Sequence, residues 1–179
     1  FNMMESVNLP PKIMNYNSII ACYGRKKDSV GADLWMKRLM NTTIKLDTVS
    51  FNTTITAICR DDVNFQTSSQ SATDYFNLMK EKKIPMNEAT FAPLIILFST
   101  NNEMGYCLKY FNLLLENCGK LNEKNPSTNL YNSVLSCYAN NIDKHPSYFE
   151  KAKKFFEHQI KDKTVSSHNV MLNVIGNNN

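Results

Sequence analysis

Residues Asn15–Tyr23 read NYNSIIACY, and the large apolar side chains of that stretch stand at Tyr16, Ile19, Ile20 and Tyr23. Offsets of three, four and seven put them on one face of an α-helix. The same spacing returns at Phe51/Thr54/Ile55/Ile58, Phe91/Leu94/Ile95/Phe98 and Tyr131/Val134/Leu135/Tyr138, and it starts again at His168/Met171/Leu172/Ile175. A second pattern follows the first four copies: Ala32/Trp35/Met36/Leu39, Ala72/Tyr75/Phe76/Met79, Cys107/Tyr110/Phe111/Leu114 and Ala152/Phe155/Phe156/Gln159. A helix A followed by a helix B, repeated, predicts an all-α fold, an α-solenoid of helix-turn-helix units. Each unit cannot bury its apolar face alone and does so against its neighbours. The small residue opening each B pattern marks a close crossing with helix A, and Trp35 is expected to be buried between the helices of the first repeat.

The leading aromatic recurs after 35, 40, 40 and 37 residues. The surplus residues fall around Asp61–Gln70, Leu121–Pro126 and Asn140–Ser147, stretches rich in Asn, Asp, Ser and Pro that read as surface loops. Helices are expected at about 14–24, 29–42, 48–60, 71–83, 88–100, 103–118, 128–140, 147–161 and 166–176. Residues 1–179 read as one solenoid fragment: a partial repeat over 1–12, repeats over about 13–47, 48–87, 88–127 and 128–164, and a partial repeat over 165–179. Phe1 and Met4 align with Met36 and Leu39, as the end of a helix B would, so a longer solenoid is expected, with any targeting segment outside this stretch.

Composition narrows the function. A net charge of +4 fits an anionic partner without demanding one. No apolar run reaches the length of a membrane-spanning helix. The five cysteines contain no C-x-x-C pair and read as small buried hydrophobes. His145, His158 and His168 are scattered, and Asp61 and Asp62 have no partner carboxylates nearby in sequence. No enzyme activity, metal or cofactor is expected from these residues.

The helix A segments read NYNSII at Asn15–Ile20, SFNTTI at Ser50–Ile55, TFAPLI at Thr90–Ile95, LYNSVL at Leu130–Leu135 and SHNVML at Ser167–Leu172. Helix B and its tail read ATDYFNLMKEKKIPMN at Ala72–Asn87, and TIKLD at Thr43–Asp47 is a looser tail. The Trp-x-x-Leu-Gly-x-x-Tyr signature of tetratricopeptide repeats is missing. Over essentially its whole length the chain resembles the pentatricopeptide repeat family. The resemblance implies a right-handed superhelix that binds single-stranded RNA, about one base per repeat, in mitochondria or, less expectedly here, plastids.

It also implies which residues meet RNA. In the family the base edge faces the residue after the helix A aromatic and the last residue of the repeat. Those pairs are Asn17 with Asp47, Asn52 with Asn87, Ala92 with Ser127, and Asn132 with Thr164; Asn169 begins a fifth. An amide both donates and accepts, so it can match a base edge. Asn17/Asp47 resembles a uridine reader and Asn52/Asn87 a cytidine reader, whereas Ala92 departs from the code. The apolar wall between bases would come from Met14 and Val49, its counterparts Ala89, Asn129 and Ser166 being small or polar. Phosphate would meet Arg25 and Arg60, whose counterparts Thr100, Asn140 and Asn177 carry no charge.

The first two repeats therefore look equipped for RNA and the later ones depleted. Lys37, Arg38, Lys80, Lys82, Lys83, Lys151, Lys153, Lys154, Lys161 and Lys163 lie on or just after B helices, the side this architecture turns outward. The leading expectation is an organellar RNA-binding module without chemistry, acting in mitochondrial RNA metabolism or translation. The alternative is a structural or assembly subunit of the mitochondrial ribosome or another ribonucleoprotein, with ribosomal RNA and ribosomal proteins as partners. A third reading, the recognition arm of a nuclease, needs a metal-binding aspartate cluster elsewhere.

Overall fold

The structure is a computed structural model that describes residues 10–61, 64–121, 125–158, 160 and 164–176. Among them there are nine helices and no strand. They are α1 (Ile13–Arg25), α2 (Ser29–Met40), α3 (Thr48–Cys59), α4 (Phe65–Glu81), α5 (Glu88–Thr100), α6 (Met104–Leu121), α7 (Thr128–Ala139), α8 (Ser147–His158) and α9 (Val165–Gly176). Odd-numbered helices are the A helices and even-numbered ones the B helices. The chain divides into two compact units, Phe1–Thr90 and Phe91–Asn179, the division falling within α5. In the first, α1 packs on α2 and α3, and α3 on α2 and α4; in the second, α7 packs on α6, α8 and α9, and α9 on α8.

The repeated apolar positions make the core of each unit. Ile20, Met36, Leu39, Phe51, Ile55, Ile58 and Met79 are fully buried in the first, and Leu94, Ile95, Leu114, Val134, Leu135 and Val174 in the second. The A and B aromatics meet edge to face within a repeat, Tyr16 with Trp35 at 6.2 Å and Phe51 with Tyr75 at 6.5 Å between ring centroids. Such geometry sets the positive ring edge against the negative face. Trp35 is only half-buried, with the Arg38 guanidinium 4.7 Å above its ring. Phe155 and Phe156 are half-buried too, where the sequence pattern predicts core.

Helix ends follow local chemistry. The turns after α1, α4 and α5 place Lys27, Lys83 and Asn102 at φ of 56°, 54° and 60°. Each permits the closing bonds of a Schellman motif, such as Asp28 N–H to Tyr23 O at 3.0 Å and Ile84 N–H to Met79 O at 3.0 Å. Asp28 caps α2 by accepting from Gly31 N–H at 2.7 Å. Asp61, from the turn after α3, adds a second cap: it accepts from the Ser29 N–H at 3.3 Å and from the Ser29 hydroxyl. Tyr75 O–H donates to Asp33 at 2.8 Å, joining the B helices of successive repeats, and Lys37 pairs with the same carboxylate at 2.7 Å.

Two expectations about boundaries are corrected. Helix α4 begins at Phe65, not near residue 71, so most of the stretch read as a loop is helix. The cause is Asn64, whose side chain accepts from Thr67 N–H at 3.2 Å and starts the helix early. Helix α6 likewise runs on to Leu121. The Asn140–Ser147 stretch is a turn, but not wholly at the surface: Asn141 is buried and donates to Cys137 O at 2.8 Å and Asn102 O at 3.2 Å. Phe1, Met4, Asp62, Gln159, Lys161, Lys163 and Asn177 lie outside the described residues.

Candidate nucleic-acid interface

The face of α3 is a graded strip. Val49, Asn52, Thr53, Thr56 and Arg60 fall at helical spacings of three, four, seven and eleven, so they share one side. Val49, 57% exposed, stands at the N-terminal end, the amide and hydroxyls follow, and exposed Arg60 closes the helix as its C-cap. On α1 the order repeats as Met14 (72% exposed), Asn17, Ala21 and Arg25. At 1.5 Å per residue, each arginine stands about 12 Å along the axis from its asparagine. Each cation also sits at the negative end of its own helix dipole, which favours it there with or without a ligand.

Part of each strip lines a cleft of about 330 Å³, formed by Ala21, Gly24, Arg25, Asn52, Thr53, Thr56, Ala57 and Arg60; Met14, Asn17, Asp47, Val49 and Asn87 do not line it. Its walls approach closely because Gly24 is buried against Ala57. Its floor is small side chains and its rim is cationic. The two arginines and Asn52 are thus brought together.

The last residue of each repeat is the N-cap of the next helix A. Asp47 caps α3, its carboxylate accepting from Ser50 N–H at 2.8 Å and the Ser50 hydroxyl at 2.9 Å. Before α5, Asn87 N–H donates to Thr90 Oγ1 at 3.2 Å. Thr90 Oγ1 donates to Asn52 Oδ1 at 2.8 Å, and Asn52 Nδ2 donates to Asn87 Oδ1 at 3.1 Å. The pair Asn52/Asn87 is therefore joined directly. Asn17 is half-buried, and its Oδ1 is buried with no hydrogen-bond partner among the described residues. Asn132 is buried at 9% exposure with its Oδ1 in the same condition, while Thr164 is engaged with Ser167, hydroxyl to hydroxyl at 3.1 Å. Asn169 is exposed on α9.

Three hydroxyls that carry this arrangement, Ser50, Thr90 and Ser167, were not among the expected site residues, and all three are fully buried. Their signal was present: a Ser or Thr stands directly before the leading residue in three of the five helix A copies.

A second cleft, of about 400 Å³, lies in the other unit and is lined by Tyr138, Lys151, Lys154, Phe155 and His158. Lys151 Nζ lies 5.0 Å from the Tyr148 ring centroid, a cation–π contact. Among the described residues no group of three His, Cys, Asp or Glu side chains could hold a metal ion, and no helix is long and apolar enough to cross a membrane. Cys107, Cys118 and Cys137 are buried free thiols and Cys59 is half-buried, but Cys22 is exposed, so the reading of all five as buried hydrophobes does not hold for it. Its hydrogen bond with Cys137, and then burial, hold Cys107 protonated well above the usual thiol range.

No family model matches the chain, and no curated protein does. Solved structures do. The crystal structure of the pentatricopeptide repeat protein PPR10 from maize superposes with a TM-score of 0.68 at 19% identity, over 99% of this chain and 22% of that one. PPR10 in complex with an 18-nucleotide PSAJ RNA element gives 0.66 at 19% identity, over 100% and 22%. Nuclear proteinaceous RNase P 2 from A. thaliana gives 0.71 at 16% identity, over 92% and 35%. The fold of this chain is therefore the pentatricopeptide-repeat fold, a helical-repeat architecture. The chain spans about a fifth of the length of PPR10 and about a third of that of the RNase P.

Proposed function

We propose that this chain is an RNA-binding helical-repeat module that recognises single-stranded RNA without performing chemistry on it, in mitochondrial RNA metabolism or translation. The observation that carries the reading is the cleft between α1 and α3, where Asn52 lies with Arg25 and Arg60. The order along α1 and along α3 suits a nucleotide: an exposed apolar side chain to lie against a base, an amide to meet its edge, and a cation about 12 Å further on for phosphate. PPR10, which shares the fold, is seen with an RNA element bound. The mitochondrial setting is carried by the family resemblance, and imaging of the tagged full-length protein tests it.

Equilibrium binding to short single-stranded RNAs tests recognition. Strands with adjacent pyrimidines should bind more tightly than purine strands, and Asn17→Ala with Asn52→Ala should erase that preference. Equal affinity for both strands, unchanged in the double variant, would remove base reading from the account. Recovered RNA of unaltered length after incubation is the expected sign of binding without cleavage.

A second reading is favoured by the cleft of Tyr138, Lys151, Lys154, Phe155 and His158 on the α7–α8 hairpin. A cationic and aromatic surface on a B helix fits a scaffold resting on folded RNA within a ribonucleoprotein, such as the mitochondrial ribosome. Co-sedimentation with ribosomal subunits, abolished by Lys151→Glu with Lys154→Glu and unaffected by Asn17→Ala with Asn52→Ala, would select it.

A further inference from the structure

We propose that Thr90 is a positioning residue for base reading: its buried hydroxyl fixes which end of the Asn52 amide lies toward Asn87, and so sets the base preference opposite Asn52. The inference rests on the reading of the first unit as an RNA reader. An asparagine amide is nearly symmetric in shape, and a half-turn exchanges its donor and its acceptor. A free amide presents both orders to a base and discriminates poorly between edges of opposite pattern.

At Asn52 three bonds remove that freedom. Thr90 Oγ1 accepts from Asn87 N–H at 3.2 Å, and gives its own proton to Asn52 Oδ1 at 2.8 Å. Asn52 Nδ2 then donates to Asn87 Oδ1 at 3.1 Å. The reversed amide would set two carbonyl oxygens 3.1 Å apart. It would also point a second donor at the hydroxyl, leaving the Thr90 proton only the longer contact to Asn87 Oδ1 at 3.5 Å in place of the 2.8 Å bond. Thr90 is 0% exposed, so water does not compensate that loss. One N–H and one lone pair of Asn52 are left for a base, in one fixed order.

The device belongs to this repeat. At the corresponding place before α3, the Ser50 hydroxyl goes to Asp47, and Asn17 Oδ1 has no partner among the described residues. Before α7 the place is held by Leu130, which has no hydroxyl. Discrimination should therefore be sharper opposite Asn52 than opposite Asn17.

Thr90 also accepts from the Asn87 N–H at the start of α5, a purely structural task, so affinity and melting temperature do not separate the two roles; base preference does. The test uses a tightly bound single-stranded RNA and its set of single-base variants, with wild type, Thr90→Val and Thr90→Ser. One position should lose about five- to tenfold of its preferred-to-disfavoured ratio in Thr90→Val, the orienting effect of one hydrogen bond. Other positions should hold their ratios, and Thr90→Ser should restore the lost one. A Thr90→Val protein with wild-type ratios at every position would overturn the inference while leaving RNA reading intact. A wild-type protein with no base preference anywhere would overturn both. Should Thr90→Val not fold, NMR of the unbound wild-type protein decides: the Asn52 side-chain NH2 protons should show cross-peaks to the Asn87 side chain stronger than those to the Thr90 methyl, and the reverse pattern would refute the assignment.

Discussion

Gly24 of α1 and Ala57 of α3 touch so closely that a methyl group added to Gly24 would stand 2.7 Å from Ala57 Cβ and 2.9 Å from Ala57 Cα. The near atoms are backbone and a rigid methyl, so a rotamer change cannot relieve the clash. This contact sets the spacing of the two A helices that carry Arg25 and Arg60. Gly24→Ala should destabilise the protein by about 1–3 kcal/mol, the range for overpacking a tight interface, despite the better helix propensity of alanine. It should also widen the cleft and weaken RNA binding. Chemical denaturation checks the first effect, and a variant as stable as wild type would show that the helices separate freely.

Aromatic truncation should rank by burial. Phe51 is fully buried, and Phe51→Ala should cost about 3–5 kcal/mol. Trp35 is only half-buried, so Trp35→Ala should cost clearly less, about 1–3 kcal/mol on an area basis. Urea unfolding of both variants checks the order. A larger loss at Trp35 would mean that something covers its exposed side in solution.

Much of the fold was legible because period and burial are the same physics. Tyr16, Phe51, Phe91 and Tyr131 recur at helical spacing, and all four are buried. The extra turns at the start of α4 were not legible, because loop-like residues such as Asn64 and Ser68 also cap and pack helices, and Ser68 is 2% exposed. At the site, types were readable and partners were not. Asn52 and Asn87 could be paired from the repeat register, but the role of Thr90 depends on a hydroxyl direction that spacing does not encode. The fate of Asp61 was likewise hidden: it caps the helix of Ser29, 32 residues earlier in the chain.

Tyr75→Phe removes the hydroxyl that donates to Asp33. Asp33 keeps Lys37, so its charge is not stranded. The loss should be about 1.5–3 kcal/mol, the usual net value of a hydrogen bond to a charged group, and the helical circular dichroism should not change. A loss above about 4 kcal/mol would show that the link between α2 and α4 is cooperative with more of the core.

Stability should fall at alkaline pH. Burial pushes the Cys59 thiol up from 9.0 to about 12. Burial first, then the hydrogen bond to Asp33 and that carboxylate's charge, push Tyr75 above its ordinary 10.0. The unfolded chain releases these protons sooner than the folded one, so above pH 9 it binds fewer of them. The folded state therefore loses stability as pH rises, the Cys59 share disappearing between about pH 9 and pH 12. Urea midpoints measured across that window should decline less steeply in Cys59→Ala than in wild type. Parallel curves would show that Cys59 reaches water in the folded state.

The most direct test of the α1–α3 cleft as an RNA site is the salt dependence of binding. Arg25→Ala with Arg60→Ala should weaken binding to every single-stranded RNA tested, and should make the plot of log affinity against log salt shallower by roughly 0.7 for each lost phosphate contact. The order of preference among bases should survive. Unchanged affinity and an unchanged salt slope in the double variant would contradict the account, because RNA would then be bound without the two cations that rim the cleft.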